Sequence, residues 1–233
     1  MSLFTVADLH LGLGLKKPMS IFKGWENHVE RLTENWNASV SKNDTVVIAG
    51  DISWANTIEE ARPDFEFINN SLNGRKIILK GNHDFWWSTA AKNNIFLKEN
   101  GFENISFLHN NAFLVGNTAV CGTRGWCPET IGTDIPQKLQ KREAIRLELS
   151  VKQAIELGGK EICAFLHYPP IYGNFENYEI IDVLQKYKIK RCFYGHLHGA
   201  AHKYAVSGIH YGIEFTLVSA DFVGFKPIKV KNS

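Results

Sequence analysis

The sequence predicts an α/β chain, largely parallel in its strand pairing, built as two packed sheets with helices outside. Three observations carry this. Short apolar runs rich in Val, Ile and Phe recur at residues 3–7, 45–49, 76–79, 162–166 and 192–194, without the polar alternation of a half-exposed strand, so they read as strands covered on both faces. Longer amphipathic segments separate them, as in βαβ units. Residues 105–122 and 204–230 break that rhythm and read as successive short antiparallel hairpins, which a simple doubly wound sheet would not contain.

In chain order, residues 3–7 form the first strand. Residues 25–40 form a helix, since Trp25, Val29, Leu32, Trp36 and Val40 recur at helical spacing. The strand at 45–49 is followed by a helix over 57–72, where Thr57-Ile58-Glu59-Glu60 resembles a capping box. After the strand at 76–79 come the hairpins of 105–122, with a turn at Val115-Gly116-Asn117-Thr118. The segment 134–157 is the clearest helix: it opens with Asp134 and Pro136, carries charges along one side, and stops at Gly158-Gly159. The strand 162–166, a helix over 175–187, the strand 192–194 and hairpins turning at Val206-Ser207-Gly208 complete the chain.

Composition excludes several classes. With 44% hydrophobic and 21% charged residues among 233, the chain is neither disordered nor collagenous and is long enough for a real core. A net charge of +2 leaves no strong nucleic-acid footprint. Cys121, Cys127, Cys163 and Cys192 form no C-x-x-C pair and read as buried free thiols, which favours a reducing compartment. No apolar run approaches the ~20 residues of a membrane span. The first residues lack a basic n-region and Asp8 interrupts their apolar stretch, so a strand is expected there instead of a signal peptide, with the cytoplasm as the default location.

The informative pattern lies in the residues that close each apolar run: Asp8-Leu9-His10, Gly50-Asp51, Gly81-Asn82-His83-Asp84, His167-Tyr168-Pro169-Pro170 and Gly195-His196-Leu197-His198. Alone, an Asp or His after a strand is usually a turn residue, a cap or a satisfied core group. Five such clusters at five strand ends are another matter, because ligands bind at the carboxyl ends of strands in open α/β sheets. Asp8 and His10 are two apart, as are His196 and His198, which on an extended backbone puts each pair on one face. Asp, Asn and His without Cys favour Mn, Fe or Zn at mixed nitrogen and oxygen ligands. Asp8, His10, Asp51, Asn82, His167, His196 and His198 are more donors than one ion needs, whereas two ions sharing a carboxylate would use them all. Asp51 is the natural bridge.

These motifs, in this order from residue 8 to 198, resemble the calcineurin-like metallophosphoesterases. The resemblance implies one domain over 1–233, a four-layer α/β/β/α sandwich of two mixed sheets, and a dinuclear centre of divalent transition metals (Mn²⁺, Fe²⁺/Fe³⁺ or Zn²⁺). By that analogy Asp8, His10 and His198 hold one metal, Asn82, His167 and His196 the other, and Asp51 bridges them. His83 is the non-ligand histidine near the leaving group, and Asp84 the acid that orients it. The implied reaction is in-line attack on phosphorus by a hydroxide shared between the metals, on a small phosphodiester or phosphomonoester. Two other outcomes stay open: a non-catalytic scaffold for protein contacts, and a pyrophosphohydrolase acting on a nucleotide-linked substrate. One departure is visible, because Trp54 stands where many members of the family carry a polar residue. Arg124, in Gly122-Thr123-Arg124-Gly125-Trp126, is a candidate phosphate contact alongside Asn82; an ordinary ion pair is the competing reading. Trp54, Trp86, Trp87 and Trp126 are either core rings or an aromatic wall, and the 134–157 helix is either an outer helix or a lid.

Overall fold

The computed structural model describes residues 1–15, 17–128 and 137–231. The elements run in the order β1 (Leu3–Val6), α1 (His28–Ser39), β2 (Thr45–Ala49), α2 (Arg62–Ser71), β3 (Arg75–Leu79), α3 (Ala90–Glu99), β4 (Ile105–Leu108), β5 (Phe113–Val115), β6 (Thr118–Thr123), α4 (Gln137–Glu156), β7 (Glu161–Leu166), β8 (Ile171–Tyr172), β9 (Phe175–Glu176), α5 (Tyr178–Lys186), β10 (Arg191–Tyr194), β11 (Gly208–His210), β12 (Ile213–Leu217) and β13 (Ile228–Lys229).

Two large sheets form, in the orders β13-β1-β2-β3-β4 and β11-β12-β10-β7-β6-β5. β1 to β4 pair parallel, with β13 antiparallel at one edge. β6, β7, β10 and β12 pair parallel, with β5 and β11 antiparallel at the edges. The apolar runs explain the layering. Val46 and Ile48 of β2 join the core under the first helices, while Val47 and Ala49 face the other way, into the space between the sheets. On β7, Cys163 and Phe165 face that same central layer, and Ala164 and Leu166 pack in the core beneath α4 and α5. Both faces of each central strand are therefore dry, and the architecture is a four-layer α/β/β/α sandwich. All four cysteines are buried and outside any disulfide among the described residues.

Several expectations need correction. Residues 105–108 are not part of a hairpin: β4 lies parallel to β3 in the first sheet, and only the turn at 116–117, between β5 and β6, is antiparallel as expected. In the last stretch β11 and β12 make a hairpin, but its turn is at Tyr211-Gly212, and β13 crosses back to pair with β1 in the other sheet. A run of short apolar pieces does not reveal which sheet each one joins. The helix expected over 57–72 starts at Arg62. Thr57 Oγ1 does accept the Glu60 N–H at 3.3 Å, but within a preceding turn. The helix then begins one residue before Pro63, a ring tolerated in a first turn. α3 goes beyond the sequence expectation, its large apolar residues falling in one consecutive run, Ile95-Phe96-Leu97, without helical spacing; Thr89 caps it by accepting the Lys92 N–H. Residues 175–176 are strand, so α5 starts at Tyr178 behind the Asn177 cap. The expected start of the long helix at Asp134 and Pro136 lies outside the described residues. From Gln137 onward α4 is an outer-layer helix, with Ala144, Leu147, Val151 and Ala154 buried against the second sheet.

Candidate metal centre

The carboxyl ends of the parallel strands of both sheets meet at one rim. The loops after β1 and β2 are sewn together there: Asp8 N–H donates to the Gly50 carbonyl at 2.9 Å and His10 N–H to the Asp51 carbonyl at 3.0 Å. Within the second sheet Gly195 N–H donates to the His167 carbonyl at 3.0 Å, and Ala7 N–H, donating to the Val218 carbonyl at 2.8 Å, ties the two sheets together. Asp8, His10, Asp51 and His196 adopt left-handed backbone, with φ of 62°, 46°, 53° and 73°. Each such residue costs of order 1 kcal/mol and persists only where its surroundings hold it. Four of the seven expected ligands are held in this way.

Two glycines make room for these side chains. A Cβ on Gly50, at φ +96°, would lie 2.5 Å from His167 Nδ1. A Cβ on Gly81 would overlap the Asp51 carboxylate and its backbone nitrogen.

The seven side chains form one continuous cluster. His10 Nε2 and His198 Nε2 face each other at 3.2 Å. Asp8 Oδ1 lies 3.4 Å from His198 Nε2. Asp51 Oδ2 is 3.8 Å from His10 Nε2 and 3.6 Å from His167 Nε2, and so stands between two groups of donors. On the second side, Asn82 Oδ1 is 2.6 Å from His167 Nε2 and 2.9 Å from His196 Nδ1. Asp8, His10 and His198 offer ligand atoms all within 4.8 Å of one another, as do Asp8, Asp51 and His167. A cation fits this arrangement on the protein's own account. Asp8 Oδ1 is buried with no hydrogen-bond partner, and two imidazole nitrogens pointed at one spot want a positive centre between them.

Protonation agrees. Burial, aided by neighbouring imidazoles, lowers the His196 imidazole to about 3. Burial outweighs the attraction of Asp8 and takes His167 down to about 4. Burial, with His198 close by, also puts His10 well below its usual value. All three are neutral near pH 7 and present lone pairs. Burial opposes ionisation of Asp8, but the surrounding His198, His167 and His10 outweigh it and hold the carboxyl below its usual range. Asp51 is pushed well up by burial and by Asp8 and Asp84 beside it. Without a cation, burial and the neighbouring acids disfavour the charged form of Asp51.

His167 Nδ1 lies 3.1 Å from the Ala49 carbonyl, a bond that turns Nε2 toward Asn82 and Asp51. His198 is held similarly by Asp221, whose Oδ1 is 2.9 Å from Nδ1. Burial alone would lower His198, but Asp8 and Asp221 raise it to about 10. Sequence reasoning misses Asp221, although it too stands just past a strand end, in Val218-Ser219-Ala220-Asp221.

The Asp84 carboxylate gathers donors from the surrounding loops. Its Oδ2 accepts N–H bonds from Gly81 at 2.7 Å and Asp51 at 3.0 Å. Its Oδ1 accepts from Ile52 and Ser53 N–H and from the Trp86 indole at 2.9 Å. Those five donors surround a fully buried carboxylate, and through them Asp84 pins the Asp51 loop to the Asn82 loop. The His83 ring stands 4.5 Å from Trp54 and 5.7 Å from His10.

The tryptophans divide between the two readings. Trp86 and Trp87 are core rings packed on Phe107. Trp54 stacks on His10 at 4.8 Å and, with Trp25, Met19 and Phe22, walls a cavity of about 400 Å³ that reaches His83 and His198. Trp126 lies under the Arg124 guanidinium at 4.5 Å. The Arg124 carbonyl accepts the His167 N–H at 3.2 Å, so the loop after β6 supports a ligand, while the side chain lines a second cavity, one that His83 does not line.

Residues 1–200 match the calcineurin-like phosphoesterase family. No curated protein sequence matches the chain. Among solved structures, a protein of unknown function from Aquifex aeolicus, AQ665, is 16% identical, with 98% of this chain and 95% of that one covered at a TM-score of 0.52. TT1561 of Thermus thermophilus is 10% identical over 98% and 97% of the two chains, with a TM-score of 0.56. These two share the fold. No helix among the described residues is long and apolar enough to cross a membrane.

Proposed function

The chain belongs to the calcineurin-like phosphoesterase family, and from that premise we propose that it is a metal-dependent hydrolase of small phosphodiesters or phosphomonoesters whose centre is the seven-residue cluster. The observation that carries this reading is the position of Asp51 Oδ2, within 4.0 Å of an imidazole nitrogen from each of two donor groups.

In this assignment Asp8, His10 and His198 would hold one divalent cation, Asn82, His167 and His196 would hold the second, and Asp51 would serve both. When bound, such a pair supplies Lewis acidity: it makes water ionisable near neutral pH and offsets charge on phosphoryl oxygens. The chain's own residues do the rest. His83 stands at the cluster's edge without ligating and delivers a proton to the departing oxygen, a contribution of about 10²–10⁴ in rate. Asp84 is a positioning residue that keeps Asp51 and Asn82 in register. Trp54 and Trp25 exclude water on the His83 side, where the leaving group would sit. Asn82 orients the phosphoryl group from the other side, and Arg124, whose side chain lines the second cavity, is a phosphate contact there. The scaffold alternative is disfavoured because the chain keeps every expected ligand and His83.

The test is metal analysis together with hydrolysis of an aryl phosphodiester and an aryl phosphomonoester, before and after stripping with chelator and refilling with Mn²⁺. Two equivalents of metal and Mn²⁺-restored turnover are expected. His83→Ala should keep both equivalents and lose turnover by about 10²-fold or more. Wild-type turnover in that metal-replete variant would remove His83 from the mechanism, and a metal-replete wild type inert on both substrates would remove the function.

A further inference from the structure

Beside the loops that carry Asn82 and support His167, and apart from the cavity walled by Trp54, lies a second cavity of about 470 Å³. It is lined by Lys80, His109, Arg124, Arg142 and Arg146. Lys80 and Arg124 belong to those two loops; Arg142 and Arg146 reach in from α4. One buried carboxylate, Glu143, answers this charge. Arg146 Nη1 donates to its Oε1 at 2.8 Å and Arg142 Nε at 3.3 Å, while Thr123 Oγ1 donates to Oε2 at 2.8 Å. Its oxygens are thus engaged by α4 and by Thr123. Among the described residues, neither Lys80 nor Arg124 has a carboxylate within 4.0 Å. Arg124 Nε is buried with no hydrogen-bond partner.

A protein does not ordinarily gather four cationic side chains around one acid in a half-closed cavity, since their repulsion is a cost that a bound anion relieves. That repulsion is visible at a neighbour: burial and then Arg146 hold the His109 imidazole below its usual value. The planar guanidinium of Arg124, stacked on Trp126 and presented from the rim, suits bidentate contact with phosphate.

We infer that this cavity is a subsite for a second phosphate group of the substrate, held by Lys80, Arg124, Arg142 and Arg146 while the scissile phosphoester lies on the metal cluster. The inference rests on the proposed phosphoesterase reading and narrows it: the substrate class becomes compounds that bear a phosphate or polyphosphate in addition to the bond cleaved.

The subsite is testable without turnover. Inorganic tripolyphosphate is titrated by calorimetry into metal-stripped full-length protein held in chelator, so that no cation draws the probe to the cluster. Saturable binding is expected, weakening as salt rises. Arg142→Gln, on the exposed side of α4 where folding is undisturbed, should weaken it about tenfold, and Lys80→Gln by a similar factor. Absence of binding to the wild type, or unchanged affinity in both variants, overturns the subsite. Tripolyphosphate binding with these properties, alongside a metal-replete enzyme inert on phosphoesters, would instead sustain the subsite and count against the phosphoesterase reading.

Discussion

Asp221 Oδ1 sits 2.9 Å from Nδ1 of His198, and this bond aims the opposite nitrogen of the ring at His10 Nε2, 3.2 Å away. Asp221 also accepts the Gly199 N–H at 3.0 Å, so one carboxylate fixes both the ring and the adjoining backbone. Such partners set the tautomer of a ligating imidazole and are worth about 10–100-fold in metal affinity. Asp221→Asn should therefore lose one of two bound Mn²⁺ ions at limiting concentrations while the fold persists. A Mn²⁺ titration followed by equilibrium dialysis reads the difference, and two tight sites in the variant would show that Asp221 is only a surface pair.

Asp51 makes a sharper prediction, because burial and the adjacent Asp8 and Asp84 oppose its charge. A cation that removes this repulsion binds the folded state alone and stabilises it by mass action. At a hundredfold excess over its dissociation constant the gain is about 2.7 kcal/mol, or roughly 5–10 °C in Tm for a chain of this size. Calorimetric melting with and without Mn²⁺ should show that shift in the wild type. Asp51→Asn should melt at or above the metal-free wild type and respond little to Mn²⁺, since the variant has lost both the repulsion and the shared ligand.

Gly81→Ala should be far more damaging than a methyl group suggests. Its Cβ would occupy the space of the Asp51 carboxylate and backbone nitrogen, and the clash is with a loop pinned by Asp84 at both ends. The loop must move, which displaces Asp51 and Asn82 together. The expected result is soluble protein with a Tm lowered by several degrees and no Mn²⁺-dependent shift.

The site is more legible in the sequence than the topology is, and the reason is physical. Asp8, His10, Asp51, Asn82, His167, His196 and His198 each stand just past an apolar run, so parallel strands alone bring them to one rim, with no long-range register to guess. Sheet membership of short strands has no such local marker. Nothing in residues 105–108 says that they extend the first sheet while 113–115 edge the second, and nothing in 228–229 announces the return to β1. Asp221 is hidden for a related reason: its strand, β12, reads as part of a hairpin, so its end does not stand out with the other five. Asp84 is recognisable as important, but its contacts are to backbone N–H groups, which sequence does not display. Arg142 and Arg146 are hidden on a helix whose charges look like an ordinary solvated face.

Lys76 carries a prediction about stability that is independent of the metal cluster. It is fully buried on β3, and its ammonium donates to the Leu72 carbonyl at the end of α2. Burial lowers it from 10.5 to about 8. Between those values the unfolded chain holds a proton that the folded chain has released, so stability rises with pH across that window. Below pH 8 the folded protein bears the full cost of the buried charge, about 3 kcal/mol; above pH 10.5 it bears none. Lys76→Met removes the charge and keeps the aliphatic stem, at the loss of one hydrogen bond worth about 1 kcal/mol. The variant should thus be more stable than the wild type by about 2 kcal/mol near neutral pH, and the advantage should shrink steadily as pH is raised from about 8 toward 10. Urea unfolding at about pH 7 and about pH 10 measures both arms, and a difference between variant and wild type that does not change with pH would mean the ammonium is not destabilised in the fold.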